Sequence, residues 1–271
     1  MKILKNRILW FTLYGLFITL VFLYLLFPSD IAKNRIESAA NSAGVTLKMD
    51  ALKPSLPFGF KMKNVSAGSG RDAGSYLQGE VLDIQFNPVG FFQKNKSVYL
   101  SGKAYSGKFS GSVGLTSFSR IYPPQEGKLK FENIDLGKFT FLKSSLGKEL
   151  TGKAKGKWTH AMSSAGNMSA TISLFLTKGA YPLAEPFLGL TRIDFDRGEL
   201  QAKMENGTIK LEKLQISGPQ LDCSLSGDIA MADDFNNSQL NLKGELVLSG
   251  RKVKMNITIS GTLSNPSLRY F

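Results

Sequence analysis

From Val45 to Phe271 the apolar residues of this chain fall on every second position, and little helical sequence follows to cover them. The clearest block has Leu200, Ala202 and Met204 alternating with Glu199, Gln201 and Lys203. Asn206-Gly207 comes next, the strongest short-range signal for a two-residue hairpin. The return strand carries Ile209 and Leu211, then Leu214 and Ile216, so the phase slips by one residue at Glu212-Lys213. Such a slip marks a β-bulge. Leu221, Cys223, Leu225, Ile229 and Met231 then alternate with Asp222, Ser224, Ser226 and Asp228. Leu240, Leu242, Leu246 and Leu248 repeat the pattern, as do Val253, Met255, Ile257 and Ile259, and earlier Met168, Ala170, Ile172, Leu174 and Leu176. The Gly- and Ser-rich stretch from Val98 to Leu115 alternates in part, through Phe109, Val113 and Leu115.

Successive side chains of a strand point to opposite faces, so each of these strands has one apolar and one polar side. That is the pattern of an antiparallel sheet wetted on one face. The expected lining of the apolar side is Leu200, Met204, Ile209, Leu211, Leu221, Cys223, Leu225, Ile229, Leu242, Met255, Ile257 and Ile259. With few helices to cover it, that side must be buried by a second sheet, by closure into a barrel, or by curling into a dry groove. The expected fold is mainly β: a long curled antiparallel sheet with few short helices. Pro88–Asn95 and Asp135–Leu146 are candidates for short helical turns, and Pro182–Leu190 reads as loop or helical turn.

The N-terminus has a different period. Ile8 to Phe27 is a run of twenty uncharged residues, which as a helix rises about 30 Å, the thickness of a hydrocarbon core. Lys2, Lys5 and Arg7 precede it and no basic residue follows until Lys33, which places the N-terminus in the cytoplasm. Trp10 and Tyr24 sit near its two ends, where amphipathic rings prefer headgroups. A cleaved leader would have a shorter apolar core and a small-x-small site just after it, and Phe27-Pro28-Ser29-Asp30-Ile31 offers none. The expectation is a single-pass anchor within residues 1–28, with Ile8, Trp10, Tyr24 and Phe27 as its markers. A juxtamembrane helix over 29–44 follows, with Ile36, Ala39, Ala40 and Ala43 on one face and Lys33, Arg35 and Glu37 on the other. Residues 45–271 form the β-rich domain beyond the membrane.

Lys and Arg outnumber Asp and Glu, 34 to 21, and the three basic residues before the apolar run leave an excess of ten for the remainder. A basic surface suits solubility or attraction to anionic headgroups or an acidic partner. No nucleic-acid motif is present. One cysteine, Cys223, makes an internal disulfide impossible, and one histidine, His160, leaves no zinc-ligand set. Asp194 and Asp196 share a strand face as a carboxylate pair might, but Arg192 and Arg197 flank them and an exposed ion-pair cluster is the expectation. No catalytic constellation, cofactor or metal site is expected, so the chain reads as a non-enzyme.

Several stretches resemble one family in order and spacing. They are Tyr24-Leu25-Leu26-Phe27-Pro28-Ser29-Asp30 with Lys33-Asn34-Arg35-Ile36-Glu37, the stretch from Leu52-Lys53-Pro54-Ser55 to Lys63-Asn64-Val65, and Leu146-Gly147-Lys148-Glu149-Leu150-Thr151-Gly152. Asn206-Gly207-Thr208-Ile209, Cys223-Ser224-Leu225-Ser226-Gly227-Asp228-Ile229 and Ile259-Ser260-Gly261-Thr262-Leu263-Ser264-Asn265-Pro266 complete them. Together they resemble the type II secretion system protein N family and its wider AsmA-like relatives. The resemblance implies an inner-membrane component of a Gram-negative secretion apparatus with a structural or assembly role, a taco-shaped periplasmic β-domain, and no catalytic residues. Its AsmA-like side implies the alternative, a lipid-binding or lipid-guiding protein with phospholipid in an apolar groove. The implied partners are the bilayer, other secretion subunits and phospholipid.

Overall fold

The structure, a computed structural model, describes residues 7–42, 44–69, 75–91, 96–115, 124–140, 142–143, 148–163, 167–187, 189–249 and 253–271. Helices α1 (Arg7–Leu25) and α2 (Ser29–Ser42) precede a 15-stranded antiparallel sheet. Its strands are β1 (Val45–Lys48), β2 (Ala51–Ser55), β3 (Gly59–Ser69), β4 (Ser75–Phe86), β5 (Lys96–Ala104), β6 (Gly107–Leu115), β7 (Glu126–Asp135) and β8 (Lys153–Met162). They continue as β9 (Met168–Phe187), β10 (Leu190–Glu205), β11 (Thr208–Ser217), β12 (Leu221–Ala230), β13 (Gln239–Leu248), β14 (Val253–Thr262) and β15 (Pro266–Tyr270). From β3 to β15 each strand pairs with the next in sequence, and β1 and β2 both pair with β3.

This topology decides between the three architectures. Every described strand belongs to one sheet, so there is no sandwich among the described residues, and β1 and β15 end the path without pairing to each other, so the described sheet does not close. The expected strong curl is also corrected: the sheet is long and antiparallel but not strongly curled. Sharp bending comes from repeated bulges or from closure. Here register breaks are isolated, as at Ala67/Gly68, Phe131/Ile134 and Leu211/Leu214, and no strand pairs back across the face.

Local chemistry sets the register. Asn206 and Gly207 have φ of 50° and 75°, the left-handed values that a two-residue turn demands, and they bring Glu205 opposite Thr208. The bulge lies where the phase slips: Lys213 is opposite Gln201 and Leu211 opposite Ala202, leaving Glu212 without a direct partner. The described part of the Pro182–Leu190 segment is not helical, and residue 188 lies outside the described ones. β9 runs on through Pro182, which faces Arg192, to Phe187, and a register break at Leu190/Arg192 absorbs the prolines. A 3-10 turn occupies Pro88–Phe91, and residues 92–95 lie outside the described residues. Another 3-10 turn, Leu136–Lys138, opens the Asp135–Leu146 segment, capped by the Asp135 carboxylate accepting from the Gly137 N–H at 3.1 Å. Residues 141 and 144–146 of that segment lie outside the described ones.

Among the described residues no helix is long and apolar enough to cross a membrane. The predicted run does form a helix, but α1 spans 19 residues, Arg7 included, and its uncharged part rises only about 27 Å. The side chains at positions 8, 9, 20 and 23, Ile8 among them, lie outside the described ones. Phe27 does not belong to this helix. Its ring sits 5.6 Å from that of Phe60 and packs on the first core cluster, Met49, Leu52, Met62 and Val65.

α2 covers that same cluster with Ala32 and Ile36. Ala40 continues the stripe at half exposure, whereas Ala39 is exposed and residue 43 lies outside the described ones. Glu37 and Lys33 turn toward the sheet too: the Met49 N–H donates to Glu37 Oε1 at 2.9 Å, and Lys33 Nζ donates to the Asp50 carbonyl at 3.5 Å. The rest of the sheet has no helical cover among the described residues. The whole chain exposes 18213 Å², against about 11,600 Å² expected for a compact globule of 29.7 kDa.

Candidate functional site

Directly opposed residues of antiparallel strands share a face, so the register can be followed across the sheet. Leu52, Met62, Leu82, Gly102, Phe109, Phe131 and Gly156 are successive partners from β2 to β8. Leu174, Leu200, Leu214, Leu225, Gly244, Ile257 and Tyr270 carry the row from β9 to β15. The neighbouring row runs Pro54, Phe60, Ile84, Leu100, Gly111, Leu129 and Trp158. It continues through Ile172, Ala202, Leu211, Gly227, Leu242, Ile259 and Leu268. Neither row contains a charged residue. At about 4.8 Å per strand, each is an apolar track roughly 60 Å long.

The track starts beside α2 and ends at β15. Its expected lining residues all lie on this one face. Leu211, Leu221, Leu242 and Ile257 are buried; Leu200, Met204, Ile209, Cys223, Leu225, Ile229, Met255 and Ile259 are half-buried. All but Met204 fall into two clusters, one around Leu211 and Leu242 and one around Leu221 and Ile257, and Leu225 packs against both. Because the sheet is not strongly curled, they line an open face rather than a trough. What covers them is each other, side by side within the layer.

The N-terminal half of the track was missed in the sequence because glycines occupy so many inward positions. Large residues lie over them. The Phe109 ring fills the space above Gly102, the Trp158 ring that above Gly127, and the Phe131 ring that above Gly156. A Cβ at Gly102 would strike the Val81 carbonyl and come within 2.7 Å of the Phe109 ring. Glycine thus admits an aromatic neighbour there, and alternation disappears from the sequence while the face stays apolar.

The residues weighed for chemistry are accounted for by packing. His160 sits on the apolar face, 8% exposed, with Nε2 3.2 Å from the Pro124 carbonyl and its ring parallel to that of Trp158. Cys223 is half-buried and free, and burial pushes its thiol up to about 11. Arg192 Nη2 pairs with Asp194 Oδ1 at 2.7 Å, with Asp194 half-buried and Asp196 exposed. No group of three or more His, Cys, Asp or Glu side chains suited to a metal occurs among the described residues. The surface depressions are open; one of about 740 Å³ is lined by Thr177, Lys178, Asp196 and Asp222 among others.

The fold and this face define a one-layer antiparallel meander with one continuous apolar side. Comparison with known proteins finds no matching family model, no matching curated protein and no matching solved structure.

Proposed function

We propose that this chain is a membrane-tethered bacterial envelope protein whose open sheet face receives acyl chains of phospholipid and guides them along the track. The observation that carries this reading is the pair of uncharged rows crossing the sheet with no second layer over them. Apolar rows of this extent, packed side by side with no second layer over them, offer acyl chains a continuous apolar face. It begins at the end of the sheet that α2 and Phe27 join to α1, where lipid would enter.

The tether in this reading is α1. Phe11, Leu16 and Phe17 are 74%, 58% and 64% exposed and point to different sides of the helix, so no single apolar stripe is turned to a protein partner. Thr19 donates its hydroxyl to the Gly15 carbonyl at 2.9 Å, which satisfies it within the helix. The uncharged part of α1, about 27 Å long, is shorter than a typical hydrocarbon core, and in this reading Arg7 reaches back to the headgroups to make up the difference. The tether would lie in the inner membrane with the N-terminus cytoplasmic and the sheet in the periplasm.

A second reading, a structural component of a type II secretion system, draws on the sequence resemblance and on the β15 edge. All five β15 residues are exposed and the strand pairs only with β14, a surface on which a partner strand can add. The two readings separate experimentally. Full-length protein extracted in mild detergent and weighed by native mass spectrometry should carry phospholipid. Uniformly lipid-free protein would contradict the first reading and leave the second.

A further inference from the structure

The polar side of the sheet is not uniform. In the C-terminal half three lysines have acidic partners: Lys203 with Glu212 at 2.7 Å, Lys213 with Glu199 at 2.5 Å, and Lys254 with Glu245 at 2.9 Å, so that Lys203, directly opposite Lys210, is already neutralised. From β5 to β8 lysines outnumber their acidic neighbours. Lys103 lies directly opposite Lys108, and Lys130 directly opposite Lys157. Like charges in opposed positions destabilise a sheet. Lys128 and Lys155 extend the patch, and all six ammonium groups are exposed. On the described polar face of these four strands the acidic residues are Glu126, Glu132 and Asp135, the last directly opposite Lys153. Glu132 is bonded by Lys130 at 2.6 Å, and its carboxyl is held below the ordinary range first by that bond and the Lys130 charge, then by Lys108 and Lys155.

Between the lysines the surface is low. Ser101, Ser110, Ser112, Gly102 and Gly111 floor two adjoining depressions, of about 520 and 400 Å³, that share Ser110 and Lys130. The patch contains lysine and no arginine. Lysine is a compact, hydrated point charge on a flexible stem, whereas bidentate recognition of a single group favours arginine. A broad lysine field on a sheet without strong curl matches a planar anionic surface rather than one enclosed ligand.

We infer that the β5–β8 polar face, centred on Lys103, Lys108, Lys130 and Lys157, docks on the phosphate headgroups of an anionic phospholipid bilayer. The opposed lysines are then neutralised by headgroup phosphates, and the apolar track is turned away from that surface. The inference rests on the reading of the chain as a membrane-tethered protein, but not on the binding of acyl chains. Attraction of this kind falls off within a Debye length, about 8 Å at physiological salt.

The test uses the full chain in nanodiscs of neutral phosphatidylcholine, mixed with vesicles and separated by flotation. Vesicles containing phosphatidylglycerol should carry the nanodiscs up, and pure phosphatidylcholine vesicles should not. Raising sodium chloride to about 0.5 M should release them. Lys128, Lys130, Lys155 and Lys157 changed together to Gln should weaken flotation at least about ten-fold, because each basic residue near an anionic surface adds attraction. Lys203, Lys210 and Lys243 changed to Gln should leave it within about two-fold on the same reasoning. Lys157→Glu is the folding control: it replaces a like-charge opposition with an attraction, so it should raise the unfolding temperature while weakening flotation. Equal flotation with both vesicle types, indifference to salt, or an unaffected quadruple variant would overturn the inference. So would displacement by inorganic phosphate beyond that by chloride of equal ionic strength, which would mean a discrete phosphate site. Binding of polyglutamate without flotation on phosphatidylglycerol would overturn it in favour of an acidic polypeptide.

Discussion

The rings of Phe27 and Phe60 lie 5.6 Å apart at 43°, joining the segment between the two helices to strand β3. Phe60 in turn meets Phe86 edge-on at 6.1 Å. The junction between α1 and the sheet is therefore packed. Phe27→Ala and Phe60→Ala should each lower stability by about 2 kcal/mol, since both rings are half-buried rather than fully enclosed. A double-mutant cycle in detergent-solubilised protein should find a coupling of about 1 kcal/mol. Additive losses would show that the rings act separately.

Gly102→Ala should be among the costliest small substitutions in the sheet. The added methyl meets the Val81 carbonyl of the neighbouring strand, and backbone cannot swing aside as a side chain can. A loss above about 2 kcal/mol is expected from overpacking of this kind. Gly15→Ala, where nothing lies within 4 Å, should leave the sheet's unfolding midpoint unchanged. Thermal unfolding followed by circular dichroism compares the two.

Cys223 supplies a pH test. Burial raises its thiol to about 11, so at pH 8 the thiolate is scarce and alkylation by iodoacetamide should be about a hundred-fold slower than for an exposed cysteine. The folded state holds this proton more tightly than the unfolded chain. The stabilisation is thus fully present below the unfolded thiol's range and is lost as pH rises from about 9 toward 11. Denaturant midpoints of wild type should fall over that window, and those of Cys223→Ala should fall less.

Leu225 packs against both C-terminal clusters, so a polar group there interrupts the track at its narrowest link. Leu225→Ser should cost about 2 kcal/mol, leave the sheet folded, and reduce copurified phospholipid. Ser224→Ala, on the opposite face, should leave the lipid content unchanged. Equal lipid content in both variants would mean that the face is not where lipid sits.

The C-terminal half of the sheet was legible because its inward residues are leucine, isoleucine and methionine at strict period two. Asn206-Gly207 and the slip at Glu212-Lys213 carried enough local chemistry to place a turn and a bulge. The β5–β6 hairpin was harder to read. Its turn, Tyr105-Ser106, takes φ of 50° and 61° without the asparagine or glycine that normally signals it. Its inward glycines make sense only against partners such as Phe109 and Leu129, which register alone reveals. Phe27 was assigned to the apolar run because hydropathy does not distinguish a lipid-facing ring from one that packs on Phe60. The lysine field was invisible for the same reason: Lys130 and Lys157 are distant in sequence and adjacent only through pairing.

The most direct measurement of the acyl-binding reading is site-specific photocrosslinking in living cells. A benzophenone amino acid would be placed at Leu225 or Leu200 on the apolar face, and at Ser224 or Gln201 on the polar face. Crosslinked lipid is predicted at Leu225 and Leu200 and not at Ser224 or Gln201. Lipid adducts absent from all four positions, or equal on both faces, would contradict it.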